Sequence, residues 1–217
     1  MWERDEQGVA CFRVSGWRLQ VDYQPEGMKL IASQDSSQES VGLISLANGK
    51  LPVITESFIR GDDLHLAMPQ NDNTDAGLDL VLMIVLVDRD CLVVETTLAV
   101  QTLLLDAHPT IELGIPGTGS LSSCSLDSAM VFSRQEPVGV TRFDQPSVRV
   151  LVDKRDQLSI DPRSDSNLSL RLFGEFMEKG VIRKTQPWWV WSSVGLDDTR
   201  LRNLVVELAK RPLPLTS

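Results

Sequence analysis

The histidines are the first residues of this sequence with acid–base chemistry to consider, and there are two of them, His65 and His108. His65 alternates with leucines in a strand-like segment, so we expect it to project from one face of a sheet. His108 follows Asp106 and precedes Pro109. It fits an ordinary loop position, and it also fits an acid–base role in which Asp106 or Glu112 orients the imidazole.

No residue spacing in the sequence is typical of a metal or cofactor site. The three cysteines, Cys11, Cys91 and Cys124, are far apart and form no C-x-x-C pair. Two separated histidines offer no zinc ligand set. The polar segment 70–77 is rich in oxygen ligands but lacks the glycine and terminal glutamate of an EF-hand loop. We therefore predict no metal, no cofactor and reduced thiols.

Three tryptophans, Trp188, Trp189 and Trp191, lie within four residues. On a strand, Trp189 and Trp191 share one face and Trp188 points the other way. We predict that at least one of Trp189 and Trp191 packs beneath a C-terminal helix, which leaves Trp188 free to contact a ligand. Two other interpretations stay open, namely stacking of exposed indoles on sugar rings and burial at a subunit interface.

Short strand-like segments separated by turns fill most of the chain. The clearest are a hairpin formed by residues 12–14 and 17–23, and a long apolar hairpin formed by residues 78–87 and 91–105. The nearly continuous apolar run 78–87 predicts burial on both faces. About twelve such segments favour a mainly β fold, an antiparallel β-sandwich, over a parallel α/β sheet.

Two helices are predicted near the C-terminus. A short helix near 173–179 would stop at Gly180. A second helix near 198–210 would begin at a capping Asp197 or Asp198. Its apolar positions recur at the spacing of one helical face; they are Leu201, Leu204, Val205 and Leu208. No repeat or long linker divides the chain, so a single sandwich domain over 1–217 is expected.

The charge balance bears on partners and location. The net charge is −9 and the isoelectric point is about 4.7, which disfavours binding to nucleic acid or to anionic membranes. The first residues lack the basic-then-apolar order of a secretion signal. The longest apolar run, 80–87, is too short to cross a bilayer. These features predict a cytoplasmic protein with no membrane partner.

Two segments carry a resemblance to known proteins. Residues 59–64 (IRGDDL) and 176–183 (FMEKGVIR), which adjoin predicted strands, resemble segments of uncharacterised bacterial all-β proteins. The architecture of those proteins is in turn similar to the galactose-mutarotase-type supersandwich. Because mutarotases use a histidine acid and a glutamate base, the resemblance implies His108 as the acid and Glu95 or Glu112 as the base.

Two function classes follow from these features. The leading hypothesis is a non-catalytic sandwich domain that binds a carbohydrate-like ligand or a protein partner, with Arg60, Asp62 and Trp188 as candidate ligand-binding residues. The alternative is a small carbohydrate-active enzyme of the epimerase type. A cleft holding His108, Arg60 and a glutamate within about 8 Å would favour the enzyme. A homo-oligomer formed through an exposed sheet face is a third hypothesis.

Overall fold

The computed structural model of the chain describes residues 1–4, 10–35, 40–47, 49–116, 120–126, 129–135, 147–153, 158–160 and 167–212. For residues 4, 40, 116, 120–126, 129–135, 147, 158–160, 167 and 168 it describes the backbone alone.

The described residues form seventeen strands and one helix. The first nine strands are β1 (Trp2–Arg4), β2 (Ala10–Val14), β3 (Trp17–Gln24), β4 (Gly27–Gln34), β5 (Ser40–Leu46), β6 (Glu56–Arg60), β7 (Asp63–Met68), β8 (Gly77–Val87) and β9 (Cys91–Gln101). The remaining elements are β10 (Thr110–Pro116), β11 (Ser120–Leu126), β12 (Ala129–Gln135), β13 (Ser147–Asp153), β14 (Leu158–Ile160), β15 (Asn167–Phe173), β16 (Ile182–Thr185), β17 (Trp188–Ser192) and α1 (Asp198–Lys210).

The strands form two antiparallel sheets. Sheet A has the spatial order β1-β2-β3-β4-β5-β10-β15-β14, and sheet B has the order β11-β12-β13-β17-β9-β8-β7-β6, with β16 also paired to β9. Alternating apolar residues from both sheets meet in one core cluster. Leu19 and Leu30 of sheet A and Leu82 and Val94 of sheet B are completely buried there. The predicted mainly β, sandwich-like fold is therefore confirmed.

Both predicted hairpins are present. β2 and β3 meet at the pair Val14–Trp17, and Ser15 and Gly16 take the positive φ angles of 50° and 82° that a two-residue turn needs. β8 and β9 form the long central hairpin, but β9 ends at Gln101 rather than at residue 105.

Burial on both faces belongs to β9 rather than to β8. β8 alternates between buried residues and partly or fully exposed ones such as Asp79, so the prediction for 78–87 was wrong. Of the ten residues of β9 before Gln101, only Thr97 is not buried. The difference arises because β9 lies centrally in sheet B, between β8 and β17, where α1 covers part of the outer face.

Helix α1 forms as the sequence predicts. The Asp197 carboxylate caps its first turn by accepting a hydrogen bond from the Arg200 amide, with an N–O distance of 2.7 Å. Leu204, Val205 and Leu208 are buried against the outer face of sheet B. A helix of thirteen residues is marginal alone in water, so this packing stabilises it. It is too short to cross a membrane, and no other helix occurs among the described residues.

The tryptophans of β17 alternate as expected, but the layer that covers each face differs from the prediction. Trp189 and Trp191 lie in the core between the two sheets, with ring centroids 6.1 Å apart. Trp188 faces α1 and is completely buried. The prediction that α1 covers Trp189 or Trp191 was wrong, because β17 is an interior strand whose inward face meets sheet A.

The helix predicted near 173–179 does not form. Phe173 ends β15 with a φ angle of 66°, and Gly174 follows with 84°, so the backbone leaves the right-handed helical region at once. The amides of the segment donate to another loop instead, from Gly174 to the Pro109 carbonyl and from Met177 to the Ala107 carbonyl. Hydrogen bonds to a loop distant in sequence form here in place of those of a helix.

Two of the three cysteines can be placed. Cys11 and Cys91 are buried and free of any disulfide. The side chain of Cys124 lies outside the described residues.

Candidate ligand-binding site

Three loops meet at one end of the sandwich, which we call the loop end. They are residues 69–76 between β7 and β8, 102–109 between β9 and β10, and 174–181 between β15 and β16. Thr102, which is completely buried, joins all three. Its hydroxyl donates to the Asp75 carbonyl at 2.8 Å, and its carbonyl accepts from the Gly180 amide at 2.9 Å.

A cleft with mainly polar walls opens at the loop end, and we call it the polar cleft. Its volume is about 100 Å³, below the roughly 300–1,000 Å³ usual for small-molecule sites, so it is a shallow cleft. The polar side chains that line it come from three stretches of chain, and they are Lys50, Asn73, Thr74, Asp75, His108 and Thr110.

Backbone hydrogen bonds fix the shape of one cleft wall. The Asn71 carboxamide oxygen accepts from the Asn73 amide at 2.9 Å, and the Thr74 hydroxyl oxygen accepts from the Asn71 amide at 3.0 Å. The Thr74 amide closes the turn by donating to the Asn71 carbonyl at 3.1 Å. Because Asn and Thr side chains satisfy the backbone here, the Asn73 side chain is presented by a fixed turn.

Several polar groups of the cleft are available to a ligand. Within the described part of the chain, the Lys50 ammonium, the Asn73 carboxamide and the Asp75 carboxylate have no side-chain or backbone partner. The imidazole of His108 lies 3.8 Å from the Asp106 carboxylate, and 59% of the His108 side chain is exposed. The cleft therefore combines a cation, an anion, an amide and an imidazole.

Glu95, a candidate base, lies far from this cleft. It is midway along β9, roughly 20 Å from Gln101, where the strand ends at the loop end. Its carboxylate is buried, accepts the indole N–H of Trp188 at 3.0 Å, and lies 3.7 Å from Nε of Arg211. Its contacts join sheet B to the end of α1.

Glu112, the other candidate base, lies on the outer face of sheet A. Its neighbours Ile111 and Leu113 point into the core, so its own side chain points away from it. The Arg171 guanidinium donates to the Glu112 carboxylate at 2.8 Å. The structure therefore does not bring His108, Glu95 and Glu112 together, since Glu112 and Glu95 lie on different sheets.

Arg60 and Asp62 occupy the opposite end of β7 from the polar cleft. The β6–β7 hairpin turns at Gly61, and the six residues of β7 separate that turn from the loop end by roughly 20 Å. The Asp62 carbonyl accepts the Trp2 indole N–H at 3.0 Å. Arg60 and His108 therefore do not share a cleft.

Trp188 is completely buried beneath α1, and the guanidinium carbon of Arg211 lies 5.9 Å from the centre of its ring. It cannot contact a ligand in this conformation. The residues that sequence reasoning missed are Lys50, Asn73 and Asp75. The polar segment 70–77 was the only signal for Asn73 and Asp75, and it was considered only as a calcium loop; Lys50 lies outside it. No group of three potential metal ligands occurs among the described residues.

No protein-family model matches this chain, and a comparison with curated proteins finds no match either. The function must therefore be argued from the residues themselves.

Proposed function

We propose that this chain is a non-catalytic sandwich domain that binds a carbohydrate-like ligand in the polar cleft. The observation that carries the proposal is the convergence of hydrogen-bonding side chains from separate loops on one cleft. Lys50, Asn73 and Asp75 have no partner within the described residues. All three are exposed, so they can form hydrogen bonds to a ligand that enters the cleft.

A polyhydroxylated ligand suits these groups because each sugar hydroxyl both donates and accepts hydrogen bonds. The Asp75 carboxylate only accepts, the Lys50 ammonium only donates, and the Asn73 carboxamide does both. The charges of Lys50 and Asp75 balance, which favours a neutral ligand over a phosphate or a cation. The exposed ring of His108 adds a flat surface beside them.

The epimerase hypothesis stays a prediction, and one observation favours keeping it. His108 and Asp75 both line the polar cleft, so an imidazole and a carboxylate share it, although neither Glu95 nor Glu112 does. Interconversion of sugar anomers, followed by NMR, would distinguish an enzyme from a binding domain. Kinship with mutarotase-type domains, a cytoplasmic location and the absence of nucleic-acid partners also stay predictions from the sequence.

A thermal-shift screen of neutral monosaccharides and disaccharides tests the proposal. A ligand at about one hundred times its Kd should stabilise the fold by about 2.7 kcal/mol. The Asp75→Asn and Asn73→Ala variants should bind that ligand about tenfold more weakly by calorimetry, because each loses roughly one hydrogen bond. Asp62→Asn, at the other end of β7, is the matched control. Unchanged affinity in both cleft variants would contradict the proposal.

A further inference from the structure

Four large apolar side chains are exposed together at the loop end, and we call them the apolar shelf. The exposed fractions are 57% for Leu103, 41% for Leu104, 81% for Leu105 and 47% for Phe176. Ten large apolar side chains are exposed in the described part of the chain, and four of them lie on these two loops. The two loops are hydrogen-bonded to each other, from Gly180 to Thr102 and from Met177 to Ala107, so these side chains are a local concentration of exposed apolar groups.

The structure holds the shelf in place. The Leu103 amide donates to the carboxamide oxygen of Gln70 at 2.6 Å, and the Leu104 amide donates to the Thr102 hydroxyl at 3.1 Å. The carbonyl of Phe176 accepts from the Arg183 guanidinium at 2.9 Å. These bonds hold the backbone of the two loops at Leu103, Leu104 and Phe176.

An apolar cleft adjoins the shelf. Its volume is about 200 Å³, and Leu103 forms one of its walls. Leu78, Ala99 and Ile182 contribute further apolar surface. An apolar side chain of a partner could enter beside Leu103, which gives the shelf an anchoring pocket of the kind found at interaction surfaces.

The charged side chains next to this surface are of both signs but acidic in sum. Asp79, Asp106, Glu175 and Glu178 outnumber Lys179, Arg183 and Lys184, and Lys184 lies across Ala99 from Asp79 on the same sheet face. Asp79 lines the apolar cleft, is exposed, and has no partner among the described residues. Asp106, directly after the leucines, has 82% of its side chain exposed. The nearby Arg183 is engaged by Glu175, with an N–O distance of 3.4 Å. This pattern, in a chain of net charge −9, attracts a basic partner and disfavours an anionic lipid surface.

We infer that the apolar shelf and its cleft dock a protein segment that carries an apolar anchor flanked by lysine or arginine. The anchor enters beside Leu103, and the flanking cations face Asp79 and Asp106. The inference does not depend on the sugar proposal, because no residue lines both clefts, although Phe176 of the shelf lies against His108 of the polar cleft, with ring centroids 6.0 Å apart.

Selection of a random twelve-residue peptide library against the purified protein tests the inference. Enriched peptides should combine a large apolar residue with neighbouring Lys or Arg. Synthetic copies should bind Leu105→Asp at least tenfold more weakly by fluorescence anisotropy, because the variant places a charge in the apolar contact. Asp79→Asn should weaken binding less and reduce its salt dependence.

Val194→Asp is the matched control, since Val194 is 62% exposed and follows β17 at the opposite end of β9 from Leu103. It should bind like the unchanged protein. Peptides without basic residues, or equal binding to Leu105→Asp, would overturn the inference. If the protein self-associates in sedimentation and Leu105→Asp abolishes this, the inference is overturned in favour of a second copy of the chain. If the protein binds neutral lipid vesicles and Leu105→Asp abolishes this, it is overturned in favour of a membrane surface.

Discussion

Gly42 and Trp189 approach each other across the sandwich so closely that a side chain at residue 42 would collide with the indole. A Cβ atom placed on Gly42 would lie 2.5 Å from Cζ3 of Trp189. Gly42 is in β5 of sheet A and Trp189 is in β17 of sheet B. The absence of a side chain on one sheet thus makes room for a completely buried ring on the other.

Gly42→Ala is therefore expected to destabilise the fold by about 1–3 kcal/mol through overpacking. Urea unfolding measures the loss. Trp189→Phe removes part of the obstructing ring, so the double variant should be more stable than the sum of the two single changes predicts, by about 1 kcal/mol or more. Additive losses would show that the two residues do not interact.

Glu95 should stabilise the docking of α1 through its bond to the Trp188 indole. Glu95→Ala leaves a buried N–H without its acceptor, at a cost of about 1–3 kcal/mol. Glu95→Gln keeps an acceptor oxygen and loses only the charge opposite Arg211, whose side chain is 40% exposed, so it should cost less than about 1 kcal/mol. Urea unfolding of the two variants, with hydrogen exchange of the α1 amides, checks the prediction. Equal losses would assign the effect to the ion pair.

The buried thiol of Cys91 is expected to make the folded protein less stable at alkaline pH. Burial raises the pKa of its thiol from 9.0 to about 11. The nearby Arg200 guanidinium acts in the opposite direction and offsets part of this rise. Below pH 9 the thiol is protonated in both states and its contribution is complete. Between pH 9 and about 11 the unfolded thiol ionises first, so about 2 kcal/mol of stability is lost as the pH rises.

Urea unfolding from pH 8 to pH 11 measures that loss, with Cys91→Ala as the reference. The substitution costs some packing at every pH, so the slopes are compared rather than the absolute values. The unchanged protein should lose more stability than the variant over this interval. Parallel curves would contradict the prediction.

The period-two patterns predicted most of the fold. They identified both hairpins and the two faces of β17, because strand side chains alternate. They could not say which layer covers each face, so Trp188 was assigned to solvent although α1 covers it. Residues 103–105 were predicted to extend β9, because three leucines are typical of a strand. Their exposure depends on bonds to Gln70 and Thr102, which the local pattern does not contain.

The candidate site was less predictable than the fold. His108 was recognised because histidine is rare in this chain and chemically distinctive. Lys50 and Asp75 became visible only when the loops were placed together, since they are distant in sequence from His108 and belong to no motif. Segment 173–179 has helical sequence features, but its amides pair with residues 107–109. Contacts between distant loops decide both outcomes.

The most direct test of the proposed function is NMR chemical-shift mapping. The ¹⁵N-labelled protein is titrated with the sugar that raises its Tm most in the screen. The largest shifts are predicted at the amides of Asn73, Asp75, His108 and Thr110, and Asp62 should stay unchanged. No saturable shift with any sugar of the panel, or the largest shifts away from the polar cleft, would contradict the proposal that this cleft binds a carbohydrate-like ligand.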